Sequence, residues 1–125
     1  MKELTKAEEQ VMQYLWELKK GFLKDIAEMF PEPRPAYTTV STVIRVLVKK
    51  KYIGFNTYGK IHEYFPLVEK EKYFRSCFQQ DVRNYFNGSV ANFASFFAND
   101  KELDLTELEK IKKAIEEQIR NRKKK

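Results

Sequence analysis

The sequence predicts a mainly α protein in which three helices and a β-hairpin are followed by a second helical module. Three observations carry this. Val40, Val43, Ile44, Leu47 and Val48 recur at i, i+3, i+4, i+7 and i+8, the apolar stripe of one helix. Directly after it, two aromatic and β-branched runs flank a turn containing glycine, which is the pattern of a hairpin. Beyond Pro66 the apolar period becomes helical again. A chain of 125 residues, 34% charged and with four glycines and four prolines, has room for one domain, or for one small domain and a packing module.

Helix one is expected from about Lys6 to Leu18. Thr5-Lys6-Ala7-Glu8 forms a capping box at its start, and Ala7, Val11, Tyr14, Leu15 and Leu18 form its inner face. Trp16 is a partly buried anchor beside Leu15, and Gly21 falls in the following loop. Helix two covers roughly Leu23 to Phe30, with Leu23, Ile26, Ala27 and Phe30 on one side. Pro31-Glu32-Pro33-Arg34-Pro35 cannot continue a helix, because proline lacks the N–H and restricts its predecessor.

Helix three begins near Thr38 or Thr39, either of which can cap it, and runs to Lys51. Its outer face carries Ser41, Thr42, Arg45 and Lys49, with Val46 off the buried stripe. Lys49, Lys50 and Lys51 suit the helix C-terminus, where the macrodipole is negative. The hairpin covers Tyr52 to Phe65, with Tyr58-Gly59-Lys60 as its turn. Three helices followed by a hairpin make a winged helix-turn-helix, placed at residues 1–68.

Residues 69–125 read as a helical dimerisation module. Phe74, Phe78, Val82 and Tyr85 mark a helix from Glu69 to Phe86. Asn87-Gly88 ends it, and Ser89 caps a short helix to Ala98. Asp104-Leu105-Thr106-Glu107 is a second capping box, opening a last helix in which Leu108, Ile111, Ile115 and Ile119 repeat. Six of the ten phenylalanines lie between Phe74 and Phe97, more aromatic surface than three short helices hide from water. A second copy is the expected cover, with Phe74, Phe78, Phe86, Phe93, Phe96, Phe97, Leu108, Ile111 and Ile115 at the interface. The basic tail from Arg120 is expected to fray.

Charge locates the candidate site. The formal net charge is +6, and the stretch from Pro33 to His62 holds Arg34, Arg45, Lys49, Lys50, Lys51 and Lys60 with no acidic residue. The rest of the chain is therefore balanced. A basic face built on helix plus hairpin suits a phosphate backbone. Thr42 can touch a thymine methyl or a base edge, and Arg45 can fork onto guanine N7 and O6 or onto a phosphate. Val46 can pack on a thymine methyl or border the wing. Lys60 and His62 can reach neighbouring phosphates, although His62 is also an ordinary strand residue. Tyr37 can donate to a phosphate or fill the contact with helix two; with Thr38 and Thr39 it completes the candidate set.

No catalytic constellation is present. One His and one Cys form no recognisable dyad, and there is no phosphate-binding glycine loop, metal-ligand cluster or cofactor motif. The expected protein is not an enzyme and carries no metal or cofactor. Cys77 reads as a packing residue. No run approaches the ~18 apolar residues of a membrane span, and the N-terminus lacks a signal-peptide core, so no membrane insertion and a cytoplasmic location are expected. A winged helix can also serve as a protein-interaction adaptor without a DNA target, since fold alone does not decide function.

The residues also resemble a known family. Leu4-Thr5-Lys6-Ala7-Glu8-Glu9-Gln10-Val11-Met12 with Leu15-Trp16 resembles the opening helix of the penicillinase-repressor (BlaI/MecI/CopY) family. Thr38 to Lys50 is similar to its recognition helix, Tyr64-Phe65-Pro66-Leu67-Val68 to the end of its wing, and Phe86-Asn87-Gly88-Ser89-Val90 with Leu103 and Asp104 to its dimerisation region. The resemblance implies a homodimeric repressor on a palindromic double-stranded DNA operator upstream of resistance or stress genes. It also implies relief of repression by a membrane sensor-protease that cuts near Ser95-Phe96. Ser41 and Val46 stand where the family often carries basic side chains, which implies a different operator sequence. The cysteine cluster of the copper-responsive branch is absent here.

Overall fold

The computed structural model describes residues 3–124. In chain order it contains α1 (Lys6–Leu18), β1 (Gly21–Phe22), α2 (Leu23–Glu28), α3 (Tyr37–Lys49), β2 (Ile53–Tyr58), β3 (Ile61–Pro66), α4 (Lys70–Phe86), α5 (Val90–Ala98) and α6 (Leu105–Lys123). The capping box of α1 forms in both directions. Thr5 Oγ1 accepts from the Glu8 N–H at 3.2 Å, and Glu8 Oε1 accepts from the Thr5 N–H at 2.9 Å. The inner face of α1 differs from the expected one. Glu8, Val11, Met12 and Leu15 are buried, Tyr14 and Leu18 are half-buried, and Ala7 is exposed. The buried stripe is therefore turned toward Glu8 and Met12.

Gly21 is not in a loop. With Phe22 it forms β1, which pairs antiparallel with β3 (Gly21 opposite Tyr64, Phe22 opposite Glu63), and the sheet order is β1-β3-β2. A two-residue strand carries no alternating pattern, so periodicity could not find it. α2 ends at Glu28, not Phe30, because the Met29 and Phe30 N–H groups bond to Ile26 and Ala27 carbonyls three residues back. β2 and β3 pair from Ile53 opposite Pro66 to Tyr58 opposite Ile61. Their loop is Gly59-Lys60, and Gly59 takes a φ of +63°, a conformation glycine adopts without steric penalty.

The core of the first unit is built by Val11, Met12 and Leu15 of α1, Ile26 and Ala27 of α2, Val40, Ile44 and Leu47 of α3, then Tyr52, Ile53 and Tyr73. Each α3 residue predicted for the inner stripe is buried or half-buried. This unit extends to Phe78, past the division after residue 68 suggested by composition, because Tyr73 and Cys77 pack against that core. Tyr73 Oη accepts from the Leu4 N–H at 3.1 Å and donates to Glu9 Oε2 at 2.9 Å. Burial, then the neighbouring Cys77 and Glu9, push its hydroxyl pKa up, against the Leu4 N–H. Trp16 Nε1 donates to the Val68 carbonyl at 2.8 Å, which fixes the chain as it leaves the hairpin.

The second unit begins at Gln79. Ser89 caps α5 through the Asn92 N–H at 3.0 Å, and Asp104 caps α6 through the Glu107 N–H at 2.8 Å. The return arm expected of the second box is replaced: the Glu107 carboxylate lies 3.9 Å from Lys110 Nζ. Phe86 contacts Phe93 and Phe96 with ring centroids 5.7 Å apart, and Phe93 stacks on Phe97 at 5.8 Å. No residue of α5 or α6 is buried. The part of the basic tail that is described belongs to α6, which is helical to Lys123 with Arg120, Arg122 and Lys123 in its last turn; Lys125 lies outside the described residues.

Candidate nucleic-acid interface

α3 supplies the centre of the surface. Thr38, Thr42, Arg45, Val46 and Lys49 are exposed on one side of it, opposite the stripe that locks the helix into the core. Ser41, expected on that exposed face, is half-buried. Val46 is 38% exposed, an apolar side chain that the core does not need. Thr42 is exposed, and its Oγ1 donates to the Thr38 carbonyl at 2.8 Å, so its hydroxyl proton is engaged within the helix.

Neither threonine caps α3. The helix starts at Tyr37, with Ala36 at the N-cap position and no side-chain hydrogen bond to the first turn. Ala36, in an extended conformation directly after Pro35, takes the cap position two residues before Thr38. Tyr37, Thr38 and Thr39 are therefore exposed around an uncapped helix start, where backbone N–H groups and the helix dipole favour an anion.

The six cations of the acid-free segment divide in two. Arg34 turns back on its own loop: Nε donates to the Phe30 carbonyl at 2.9 Å, Nη2 to the Glu28 carbonyl at 3.1 Å, and Nη1 lies 3.3 Å from Glu32 Oε1. Lys50 is held by buried Glu8, with Nζ 2.8 Å from Oε1 and 3.0 Å from Oε2. These two are structural groups. Arg45, Lys49, Lys51 and Lys60 are exposed and form no ion pair among the described residues. Arg45 lies near Tyr64 of β3: burial raises the Tyr64 hydroxyl pKa, and the guanidinium opposes that shift.

The wing carries Lys60 at its tip. His62 is half-buried, with its ring 4.3 Å from that of Phe55, and Thr57 Oγ1 lies 3.0 Å from its Nδ1. Cross-strand pairing of Thr57 with His62 produces that contact and holds the imidazole against the sheet. Tyr37, Lys60 and His62 meet at one cleft, together with Leu23, expected only on the inner side of helix two, and Phe22, to which the sequence assigned no role. The missing signal was β1, which brings Phe22 beside the wing. Among the described residues no group of three or more His, Cys, Asp or Glu could hold a metal ion, and no helix is long and apolar enough to cross a membrane.

The model of the penicillinase repressor family matches residues 4–117, both the winged helix and most of the helices that follow it. The chain belongs to that family. It is similar to the methicillin resistance regulatory protein MecI of Mammaliicoccus sciuri, at 25% identity over 114 residues that cover 90% of this chain and 93% of that protein. Among solved structures, the DNA-binding domain of the repressor BlaI, determined in solution, gives a TM-score of 0.50 at 21% identity, covering 58% of this chain and 94% of that one. This likeness shows the winged-helix fold. The CopR repressor structure gives a TM-score of 0.45 at 30% identity, covering 54% of this chain and all of that one. Members of the family are transcriptional repressors, which are not enzymes. Membership and fold together make this chain a winged-helix DNA-binding protein of a repressor family.

Proposed function

We propose that the protein is a sequence-specific repressor that binds a palindromic operator as a homodimer, with α3 in the major groove and the wing on adjacent phosphate. The observation that carries this reading is the set of four exposed cations, Arg45, Lys49, Lys51 and Lys60, left without ion pairs among the described residues on α3, its C-terminal end and the wing tip. Tyr37, Thr38 and Thr39 border the uncapped helix start and serve phosphate contacts, with half-buried Ser41 one turn further on at their edge. Thr42, Arg45 and Val46 face base edges, and Lys49, Lys60 and His62 flank them.

Homodimer formation is supported by apolar surface in the C-terminal helices. Phe74, Phe96 and Ile115 are 71%, 68% and 53% exposed in the single chain. Exposed aromatic groups of this size favour a second copy. Control of resistance or stress genes, and relief by a membrane sensor-protease cutting at Ser95-Phe96, complete the proposal; both residues are exposed in α5.

The test is a fluorescence anisotropy titration of the full chain against DNA from its own upstream region, at two salt concentrations, with random DNA as competitor. Binding that survives the competitor supports a sequence-specific repressor. Weak binding, equal on both DNAs and lost with salt, would leave only an electrostatic surface and move a protein-interaction adaptor to first place.

A further inference from the structure

The wing does not lie flat against the helices. A cleft of about 510 Å³ opens between the tip and β3 strand of the wing, the first turn of α2 and the start of α3. That volume is within the range of small-molecule sites. Phe22, Leu23, Ile61 and Tyr64 give it apolar walls, and Tyr37 and His62 add two more flat rings. Several of these walls are held in place. Phe22 is pinned by its N–H bond to Asp25 Oδ2 at 2.9 Å, His62 by Thr57 and Phe55, and Tyr64 by packing against the core.

Charge selects among occupants. Lys24 and Lys60 line the cleft with Asp25 as the one acidic group, and the Asp25 carboxylate already accepts the Phe22 N–H. Lys24 has only a loose 3.9 Å contact with Glu28, both of them exposed, and Lys60 has no ion pair among the described residues. Flat apolar walls with ammonium groups beside them fit a ring that bears one negative group. A deoxyribose phosphate offers the anion but no flat apolar face.

We propose that this cleft binds a small, flat aromatic anion, and that such a ligand and DNA exclude one another. The exclusion rests on the DNA-binding reading above, because Tyr37, Lys60 and His62 belong to both sites. A ligand that binds only the DNA-free protein lowers apparent DNA affinity in proportion to its own occupancy.

The test uses the full-length chain, labelled with nitrogen-15, and three probes: naphthalene-2-sulfonate, the uncharged 2-naphthylmethanol, and deoxyribose 5-phosphate. The sulfonate should give saturable shifts at Phe22, Leu23, Ile61, His62 and Tyr64, and bind about fivefold more tightly than the alcohol, the scale of one exposed ion pair. Ile61 is 56% exposed, so Ile61→Glu adds a carboxylate to the apolar wall without opening the core, and it should weaken the sulfonate about tenfold. Lys60→Gln should erase the preference for sulfonate over alcohol. Saturating sulfonate should then raise the apparent Kd for DNA.

Shifts confined to the phenylalanines of α5, or equal affinity for the two naphthalenes, would overturn the aromatic-anion site. Tighter binding of deoxyribose 5-phosphate would assign the cleft to the DNA backbone instead. A ligand bound in the cleft with DNA affinity unchanged would overturn the exclusion. A wild-type chain that binds the sulfonate there but no DNA would sink the repressor reading and leave the ligand site standing.

Discussion

Lys50 Nζ sits 2.8 Å and 3.0 Å from the two carboxylate oxygens of Glu8, joining the C-terminal end of α3 to the first turn of α1. Glu8 is only 6% exposed and also closes the capping box of α1. One carboxylate therefore serves a helix start and a helix end together. Burial disfavours its charge, but the Lys50 ammonium and the bonds with Thr5 outweigh that and hold its pKa below the ordinary carboxylate value.

Glu8→Ala removes the return half of the capping box, the bond from the Thr5 N–H, and leaves a half-buried ammonium without its partner, so it should destabilise the protein by about 3 kcal/mol in denaturant unfolding. The pH dependence has a definite sign. Because the folded-state pKa of Glu8 is depressed, its contribution is complete above the unfolded-state carboxylate pKa and is lost as pH falls through the folded value. Stability of the wild type should decline on acidification below the ordinary carboxylate range, and Glu8→Gln should flatten that part of the curve. Equal slopes in the two proteins would show that other carboxylates carry the acid sensitivity.

Arg45 tests base readout. Its guanidinium is exposed on α3 and placed near Tyr64 without an acidic partner. Arg45→Ala should weaken binding to the specific operator by about 1–3 kcal/mol and weaken binding to random DNA much less. Equal losses on the two DNAs in competition anisotropy would make Arg45 a phosphate contact.

The wing separates affinity from specificity. Lys60 sits at the hairpin tip beside Gly59 and is held by no ion pair among the described residues. Lys60→Ala should lower affinity for all sequences alike and reduce the salt slope of log K by about 0.9, the share of one phosphate. An unchanged slope would remove the wing tip from the contact set.

Legibility in the sequence followed the physics of each signal. Stripes with long period were readable: α3 shows its five apolar positions in order, and the hairpin shows two runs around Gly59. Signals depending on distant residues were not. Met12 took the place expected for Ala7 because orientation about a helix axis is set by what packs there. β1 is two residues long, and its existence follows from pairing with β3, more than thirty positions away. Counting charge found the basic segment but could not show that Arg34 is taken up by its own loop and Lys50 by buried Glu8. Glu8 and Lys50 are 42 positions apart, and nothing local announces their pairing. The same limit hid the cleft, whose walls come from α2, α3 and both ends of the sheet's edge pairing.

Gly54 offers a test of packing that involves no charge. It faces Phe65 across β2 and β3, and a Cβ built there would lie 2.9 Å from Phe65 Cε2 and Cζ and 3.1 Å from Leu67 Cδ2. The aromatic ring covers the backbone at that point, so any side chain must displace it. Gly54→Ala should destabilise the winged-helix unit by about 1–3 kcal/mol despite the better strand propensity of alanine. Gly59→Ala meets nothing within 4 Å and strains only the backbone at φ +63°, which should cost about 1–2 kcal/mol. Gly54→Ala with Phe65→Leu should recover part of the loss, because the smaller side chain vacates the contact; no recovery would place the damage in the backbone instead.

Phe96 decides whether the aromatic surface of the C-terminal helices is an interface. It is 68% exposed in the single chain, yet its ring lies 5.7 Å from that of Phe86, so it forms the outer edge of a cluster already organised by Phe93 and Phe97. Such an edge gains most from a second copy, since burying a large aromatic side chain is worth about 1.5–3 kcal/mol and a symmetric contact counts it twice. Phe96→Ser should therefore raise the dimer dissociation constant by at least about a hundredfold in sedimentation equilibrium. The thermal unfolding of the winged-helix unit should stay the same, because Phe96 lies outside that unit's core. A variant that sediments as wild type would show that the interface, if formed, uses other faces of these helices. A variant that binds a single half-site normally but loses the two-half-site operator would connect this aromatic edge directly to operator recognition.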